Sequence, residues 1–294
     1  MTRGEIRTVL VGLVFISPWL LGFVAFTFYP VMASLYWSFC DYDVLTKPVW
    51  IGLLNYQDML TDDVFWKSLW NTLYFMTFSV PLGLILSFLI AVMLNNEIKG
   101  RPIYRTIYFL PSMVPLIAVA MIWMWIFNGS FGLLNYGLKF LGIQGPEWLA
   151  NPAWTKPALI LTGLWQMGGS IVIYLAALQD VPRELYESAE LDGAAPWHKM
   201  IHITVPMVSP VIYFNLVMGL IGASQEFVRP FVMMGGGGPD RSALFYAVYI
   251  YQNAFQYNQM GYACAMAWVL LVLIMILTWI ATAATRRHIY YAGE

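Results

Sequence analysis

Glu226 and Arg229 are the charged residues whose position most suggests chemistry, because both follow closely on the long uncharged stretch 200–225. An ionisable group at the end of an apolar stretch is a candidate for contact with a polar ligand. Their spacing of three residues also allows them to pair along one helix, which is a purely structural role. The sequence leaves both interpretations open.

The other reactive side chains do not form a recognisable catalytic or metal-binding set. His198 and His202 have the spacing of metal ligands but no acidic or thiol companion. Cys40 and Cys264 are expected to be small buried side chains rather than a disulfide, although a bridge between them is conceivable. The glycines at 235–238 lack the lysine that follows a phosphate-binding loop. We therefore expect a chain that is not an enzyme and binds no metal or cofactor of its own.

Charges are scarce along the chain, since 11% of its 294 residues are charged and 60% are hydrophobic. Six stretches without Asp, Glu, Lys or Arg each exceed the roughly 20 residues that a helix needs to cross a hydrocarbon core. They lack the alternation of barrel strands, so their backbone must be satisfied within helices. The sequence predicts an all-α membrane protein with six transmembrane helices near 9–36, 68–94, 106–127, 157–178, 207–228 and 262–284.

The distribution of Lys and Arg predicts that both termini are cytoplasmic. In that orientation the inner segments hold nine basic residues and the outer segments hold six, although the outer segments are longer. The first apolar run is longer than the core of a signal peptide and has no small-residue cleavage pattern after it, so we expect a retained helix. The loop 179–206 is then cytoplasmic.

Residues 182–206 form a charged, proline-bounded segment between two apolar runs. Pro182 suits the first turn of a short helix that ends at Asp192-Gly193, where glycine can take the left-handed cap conformation. A second short helix is predicted from Pro196, and it is expected to stop at Pro206. Either a partner or the ends of this chain's own helices must cover the apolar side chains of this hairpin, which are Leu185, Tyr186, Ala189, Trp197, Met200 and Ile201.

This hairpin resembles the Glu-Ala-Ala, Gly, Ile, Pro loop of ABC importer permeases, and in particular those of the carbohydrate-uptake branch, the maltose-type and glycerol-phosphate-type permeases. One departure is Ser188, which stands where the loop usually has alanine. The stretches 101–111 and 237–263 resemble the same family, so the likeness covers nearly the whole chain. The matching loop residues are Glu187, Ser188, Ala189, Asp192, Gly193, Ala194, Trp197, Ile203 and Pro206.

The resemblance implies a single transmembrane permease domain over 1–294, in a bacterial plasma (inner) membrane, that works only with partners. Those partners are a homologous second permease, two ATPase subunits that bind ATP and Mg, an external substrate-binding protein and a saccharide. The loop 182–206 would fit a groove of the ATPase, with Gly193 setting the hairpin angle and Glu187 making an electrostatic contact. The residues assigned to this coupling are Leu185, Glu187, Ser188, Ala189, Asp192, Gly193, Trp197 and Pro206.

In the resembled permeases the helices on either side of the loop form the substrate pocket. The fourth and fifth predicted helices combine small and polar residues, as close packing around a path requires. No sugar specificity follows from the resemblance, and substrate contacts could lie largely on the second permease. The scarcity of basic residues at suitable depth favours a neutral saccharide. The candidates are Gln166, Gly169, Ser170, Gly222, Ala223, Gln225 and Glu226.

Two other classes of protein compete with this interpretation. An ion-coupled secondary transporter would be expected to show internal repeats and charges near the membrane midplane. A membrane-embedded enzyme would need acids, histidines or a nucleophile clustered at one depth. The sequence has neither a clear repeat nor a charge deep in the first four predicted helices. We expect an importer permease, with the secondary transporter as the alternative.

Overall fold

A computed structural model describes residues 3–96 and 99–285. Within these ranges the strands are one antiparallel pair, Cys40–Asp41 with Val49–Trp50, and the remaining regular structure is helical. The predicted all-α class is therefore confirmed. The α-helices are α1 Arg3–Phe23, α2 Tyr29–Trp37, α3 Leu54–Thr61, α4 Asp63–Asn95, α5 Arg101–Phe109, α6 Leu116–Ile126, α7 Leu133–Phe140, α8 Pro152–Trp165, α9 Gly168–Gln179, α10 Arg183–Leu191, α11 Pro196–Lys199, α12 Val205–Ser224, α13 Val228–Met234, α14 Tyr246–Tyr251 and α15 Met260–Thr285.

Several of these helices are joined by short turns of other helical types. Wider π-turns continue the chain between α1 and α2, between α11 and α12, and after α14, while tighter 3-10 turns follow α5 and α13. The π-turns are Val24–Phe28, Met200–Thr204 and Gln252–Gln256, and the 3-10 turns are Leu110–Met113 and Pro239–Arg241.

Four helical segments of the described chain are long and apolar enough to cross a membrane singly: Val11–Trp37, Asp63–Asn95, Pro196–Ser224 and Met260–Thr285. Two further segments are bent pairs. Arg101–Met113 meets Leu116–Ile126 at 102°, and Pro152–Trp165 meets Gly168–Gln179 at 48°. The described chain therefore has four candidate membrane spans if only single helices are counted, and up to six if each bent pair is one span. The predicted third and fourth spans are therefore bent pairs of helices, and the bend in the third agrees with the kink that Pro111 and Pro115 predict.

The break in the third predicted span comes from Pro115. Proline disfavours the helical conformation of the residue before it, and Val114 is accordingly extended, with φ −76° and ψ 131°. The Val114 carbonyl, which has left the helical pattern, accepts a hydrogen bond from the Gln166 amide at 3.4 Å. This contact ties the broken third span to the bend in the fourth.

The bend in the fourth predicted span lies at Gln166 and Met167, and Gly168 begins the next helix. A Cβ atom on Gly168 would lie 2.6 Å from the backbone oxygen of Tyr108 and 3.0 Å from Cα of Phe109. Only glycine therefore allows α5 to approach the start of α9 this closely. At the other end of α9, the Gln179 side chain contacts the guanidinium groups of Arg101 and Arg105.

Residues 3–62 and Ile250–Leu270 form one compact unit, and the second consists of Asp63–Tyr249 with 271–285. In the first unit, the Asn55 amide donates to the carbonyls of Ser38 and Cys40, both at 2.9 Å. Gly261 packs so closely on the Cys40 carbonyl that a side chain there would overlap it. Cys40 and Cys264 are both free thiols and both buried, as expected.

The second unit is built around α4, against which α8, α9 and α12 pack. Its core includes Ala91 and Leu94 of α4, Tyr174 and Leu178 of α9, and Val208 of α12. Tyr174 and Val208 are fully buried. This packing fixes the relative positions of the helices on the two sides of the loop 182–206.

The loop 182–206 differs from its prediction at Pro206. The second arm was expected to stop there, but the helix continues from Pro196 to Ser224. A π-turn over Met200–Thr204 precedes the proline, and the Val205 N–H donates to the Met200 carbonyl five residues earlier. In a regular α-helix the proline ring would clash with a carbonyl of the preceding turn. The wider π-turn makes room for the ring, so the helix continues past Pro206.

Candidate functional site

A cavity of about 340 Å³ lies within the second unit, between α4, α8, α9, α12 and the segment that leads into α13. This volume is within the range of small-molecule binding sites. Two helix breaks border it, at 166–167 and at 225–227, which places non-helical backbone beside the cavity as expected for membrane transport sites. The lining residues are Phe75, Ser79, Val80, Gly83, Leu84, Gly163, Leu164, Met167, Ser170, Asn215, Gly219, Gly222, Ala223, Glu226 and Arg229.

Glu226 and Arg229 form an ion pair on the cavity wall. Arg229 Nε donates to Glu226 Oε1 at 3.0 Å, and Nη2 donates to Oε2. The side chains are 9% and 14% exposed, respectively, so the pair is largely withdrawn from solvent. Glu226 Oε1 also accepts from the Arg229 backbone N–H at 3.4 Å, at the first turn of α13. The two residues therefore pair across three positions, as the sequence allowed, but Glu226 lies in the non-helical break before α13 rather than on the same helix. Both residues also line the cavity.

Four of the seven predicted pathway residues line this cavity: Ser170, Gly222, Ala223 and Glu226. The other three, Gln166, Gly169 and Gln225, are absent from its lining. Gln166 instead donates to the Val114 carbonyl, while Gly169 and Gln225 are exposed. A role for any of the seven in substrate passage stays a prediction.

The sequence interpretation overlooked the contribution of α4. Phe75, Ser79 and Gly83 of α4 line the cavity, and the guanidinium carbon of Arg229 lies 5.8 Å from the centre of the Phe75 ring. Ser79 and Gly83 are a polar and a small residue four apart in an apolar helix, and this spacing was the signal available.

The hairpin 182–206 has the predicted turn at Gly193, whose φ of +74° is the left-handed conformation that favours glycine. The N–H of Gly193 donates to the Glu190 carbonyl at 3.0 Å, and the N–H of Ala194 donates to the Ala189 carbonyl at 2.9 Å. These bonds close the end of α10. Lys199 pairs with Glu190 at 2.5 Å and so links the two arms.

One side of the hairpin packs inward. Tyr186 and Ile203 are partly buried against the core of α4, α9 and α12. The hydroxyl groups of Tyr186 and Thr204 are hydrogen-bonded at 2.9 Å. Tyr186, which the sequence placed with the apolar residues in need of cover, is thus largely covered by this chain.

The other side of the hairpin presents apolar side chains to the surroundings. The exposed fractions are 39% for Leu185, 70% for Trp197 and 90% for Leu191. Leu191 was not among the candidates, although it precedes the predicted helix end directly. Glu187, Ser188, Asp192 and Gly193 are exposed as well, whereas Ala189 and Pro206 are half-buried. A coupling role for these residues stays a prediction.

The two remaining sequence features belong to no site within the described residues. His198 and His202 are exposed and their rings stack with centroids 5.6 Å apart. No group of three or more His, Cys, Asp or Glu with metal-binding geometry occurs in 3–96 and 99–285. The glycine run 235–238 joins α13 to a 3-10 turn. The segment that follows is bonded to α4, because the Asn71 amide donates to the carbonyls of Arg241 and Leu244.

Comparison with known proteins gives a consistent result. Residues 64–290 match the family described as "Binding-protein-dependent transport system inner membrane component". The chain is 43% identical over 289 residues to the "Probable ABC transporter permease protein YesP" of Bacillus subtilis (strain 168), covering 97% of this chain and 93% of that protein.

Two further similarities concern carbohydrate transporters. The chain is 35% identical over 270 residues to the "Arabinooligosaccharides transport system permease protein AraP" of Halalkalibacterium halodurans (strain ATCC BAA-125 / DSM 18197 / FERM 7344 / JCM 9153 / C-125), covering 90% of this chain and 84% of that protein. A solved bacterial ABC transporter involved in the import of the acidic polysaccharide alginate contains a chain with a TM-score of 0.85 and 25% identity, covering 97% of this chain and 98% of that one.

Proposed function

The chain belongs to the family of binding-protein-dependent transport system inner membrane components, and from this premise we propose that it forms half of the translocation path for a saccharide. Its family makes it a permease subunit of an ABC importer and not an enzyme. The same assignment favours the importer over the ion-coupled secondary transporter. The proposal adds the substrate class, the partners and the residues that link transport to ATP hydrolysis.

The observation that carries the proposal is the hairpin 182–206. Its inner side is anchored to the core by Tyr186 and Ile203, while Leu191 and Trp197 on its other side are exposed. Apolar side chains fixed on a rigid element are typical of a binding surface. Together with the resemblance of this segment to the coupling loop of importer permeases, they support docking to an ATPase subunit.

The continuous helix Pro196–Ser224 gives this docking a mechanical consequence. Trp197 lies at one end of this helix, and Gly222 and Ala223 line the cavity at the other. At 1.5 Å per residue, about 38 Å separate the two ends. The other arm connects through α9, which carries Ser170, to the same cavity. Displacement of the hairpin would therefore move two walls of the cavity.

The proposal includes the remaining subunits that the family resemblance implies. A homologous second permease would complete the path, two ATPase subunits would bind ATP and Mg, and an external binding protein would deliver the substrate. Both termini and the loop 182–206 would lie in the cytoplasm, as the distribution of Lys and Arg predicts. The chain itself would act as one transmembrane domain.

The substrate is proposed to be a saccharide because the similar proteins are named for carbohydrates. One is named for arabinooligosaccharides and another belongs to an importer of an acidic polysaccharide. These names support the substrate class but leave the charge of the saccharide open.

The test is ATPase activity of the purified complex in lipid, with and without its binding protein, across a panel of neutral and acidic saccharides. Gly193→Asp is compared with Gly142→Asp as a matched control. Both glycines have a left-handed backbone, with φ of +74° and +77°, and neither has an atom within 4 Å of an added Cβ. The two variants thus carry the same strain and charge, but only one alters the hairpin.

We expect one saccharide to stimulate wild type and Gly142→Asp, and we expect this stimulation to disappear in Gly193→Asp although the complex still assembles in the membrane. Equal activity of both variants would exclude docking through the hairpin. Absence of a co-purifying ATPase would contradict the proposed partner subunits.

A further inference from the structure

Two arginine side chains meet where the start of α5 packs on the end of α9, close in sequence to the hairpin 182–206. The amide oxygen of Gln179, when the amide is oriented to satisfy both, accepts from Nη2 of Arg101 at 3.0 Å and from Nη2 of Arg105 at 2.9 Å. These two nitrogen atoms therefore lie less than 6 Å apart. Neither guanidinium has a carboxylate partner in the described part of the chain. Like charges this close repel each other, and a neutral amide does not balance them.

The two guanidinium groups remain open to a ligand. Both side chains are half-buried, and of their nitrogen atoms only the two Nε are enclosed without a hydrogen-bond partner among the described residues. Nη2 of each arginine holds Gln179, so Nη1 of Arg101 and Nη1 of Arg105 are left to donate outward. An anion with several oxygen atoms, such as a phosphate, can accept from both groups at once and balance their charge.

This pair of arginines lies where two apolar runs of the chain end. The uncharged stretch 106–138 begins directly after Arg105, and the uncharged stretch 157–179 ends at Gln179. Asp180, the nearest acid along the chain, is exposed and makes no ion pair with either arginine. The contact therefore falls at the level of the lipid headgroups. Basic pockets between membrane helices at this level bind anionic headgroups.

Two tyrosines on the same side of α5 favour a lipid over a free phosphate. Positions 101, 104, 105 and 108 have the spacing of one helix face. Tyr104 and Tyr108 are 47% and 40% exposed, respectively. Tyrosine is enriched where membrane and water meet. A phospholipid whose phosphate lies between the arginines would cover these rings with its glycerol and acyl chains, whereas a free phosphate would leave them uncovered.

We propose that Arg101 and Arg105 bind the phosphate of an anionic phospholipid, such as phosphatidylglycerol, in the leaflet on the hairpin side. The bound phosphate neutralises the two arginines and so strengthens their joint hold on Gln179, the last residue of α9. The lipid thereby stabilises the helix that leads into the hairpin. This inference goes beyond the proposed function and does not depend on the saccharide, since neither arginine lines the cavity.

The experiment titrates the complete complex, purified in detergent and freed of lipid. The probes are dioctanoyl phosphatidylglycerol, phosphatidylcholine with the same chains, and glycerol 1-phosphate, which has the phosphate without the chains. Native mass spectrometry counts the bound molecules, and thermal unfolding reports the stabilisation. We expect phosphatidylglycerol to bind about tenfold or more tightly than phosphatidylcholine, because each nearby arginine attracts the anionic headgroup. Glycerol 1-phosphate should not compete at equal concentration.

Three double variants separate this site from a general attraction of basic residues for anionic lipid. Arg101→Gln with Arg105→Gln should remove one bound phosphatidylglycerol and abolish the associated stabilisation. Lys99→Gln with Arg183→Gln is the matched control, since these two basic residues are exposed nearby and their loss removes the same charge. The control should change binding about twofold or less.

The third double variant, Arg101→Lys with Arg105→Lys, keeps both charges and so protects the fold if the glutamine pair is unstable. Lysine lacks the planar fork that binds a phosphate through two nitrogen atoms. We therefore expect it to bind phosphatidylglycerol about threefold or more weakly than wild type does.

Preferential stabilisation by phosphatidylglycerol that the glutamine pair lacks and the control pair retains would support the lipid site. Equal binding of the two lipids, equal effects of the glutamine and control pairs, or displacement by glycerol 1-phosphate at equal concentration would overturn it. An equal loss of stability in both lipids would reduce the arginines to a clamp between α5 and α9, and loss of the ATPase subunits in both lipids would assign them to a protein contact. Either result would also overturn the lipid site. None of these results depends on stimulation by a saccharide, so the proposed function is tested separately.

Discussion

At the scale of single residues, two adjacent glycines make contrasting contributions to the bent fourth span. Gly168 is buried under α5, and an added Cβ would lie 2.6 Å from the Tyr108 oxygen. Gly169 is exposed and has no atom within 4 Å of such a Cβ. Composition alone cannot distinguish them, since each is a small residue in an apolar segment.

We predict that Gly168→Ala destabilises the protein by about 1–3 kcal/mol, because the backbone of α5 must move to relieve the overlap. Gly169→Ala is the matched control, and it should be neutral or stabilising by up to about 1 kcal/mol, since alanine favours a helix more than glycine does. Thermal unfolding of the two variants in the same detergent measures the difference. Equal stability of both would show that α5 does not pack on α9 as described.

The residues of the hairpin show what local sequence can specify. The limits of the first arm and its turn were predicted correctly from Pro182, Gly193 and Pro196. Proline and glycine restrict or widen the backbone conformation at their own positions, so they can be interpreted locally. By contrast, the contact of Arg229 with Gly163 and Phe75 joins distant parts of the sequence. No periodic pattern carries that information, so the cavity wall was predicted only in part.

At the scale of elements, the decisive feature is the π-turn before Pro206. Proline in an α-helix normally removes one hydrogen bond and clashes with the preceding turn, which made Pro206 a reasonable predicted end. The π-turn at Met200–Thr204 adds a residue to the turn, and the helix continues. Such a turn leaves no reliable mark in a single sequence, whereas long apolar runs do predict spans, as Asp63–Asn95 and Met260–Thr285 show.

The π-turn should set the angular position of the hairpin relative to the cavity helix. Pro206→Ala removes the reason for the wider turn, and a return to regular α-helix would shift the register of the arm by one residue, about 100° of rotation. We expect this variant to lose most of its saccharide-stimulated ATPase activity. Pro210→Ala is the control, because Pro210 also lies inside α12 but the turn directly before it is regular α-helix.

Stimulated ATPase activity of the two proline variants, measured at matched expression and assembly, tests this role. The hypothesis predicts a large loss for Pro206→Ala and a small change for Pro210→Ala. A similar loss of stimulated ATPase activity in both variants would mean that the effect comes from helix stability. Similar retention of this activity in both would show that the register of the arm does not matter.

At the scale of the whole molecule, the chain combines a cavity with two connections to one surface hairpin. α9 and α12 both reach from the hairpin to the cavity, and both pack on α4. Under the proposed function, this arrangement would let a chain without any nucleotide-binding motif respond to ATP hydrolysis by a partner subunit. We therefore expect movement of the hairpin to change access to the cavity.

Access to the cavity can be followed with a cysteine at Ser170, which lines it from α9. Cys40 and Cys264 are replaced by alanine in this experiment, since both are free thiols. A membrane-impermeant maleimide is applied from either side of proteoliposomes that hold the complete complex. Labelling is compared between the resting complex and the complex trapped with ATP and vanadate.

Labelling of Ser170→Cys in the presence and absence of Gly193→Asp tests this expectation most directly. We expect trapping to move access from the cytoplasmic to the outer side, and we expect Gly193→Asp to prevent this change while Gly142→Asp does not. Access that stays on one side in every state, or that still changes in Gly193→Asp, would contradict it.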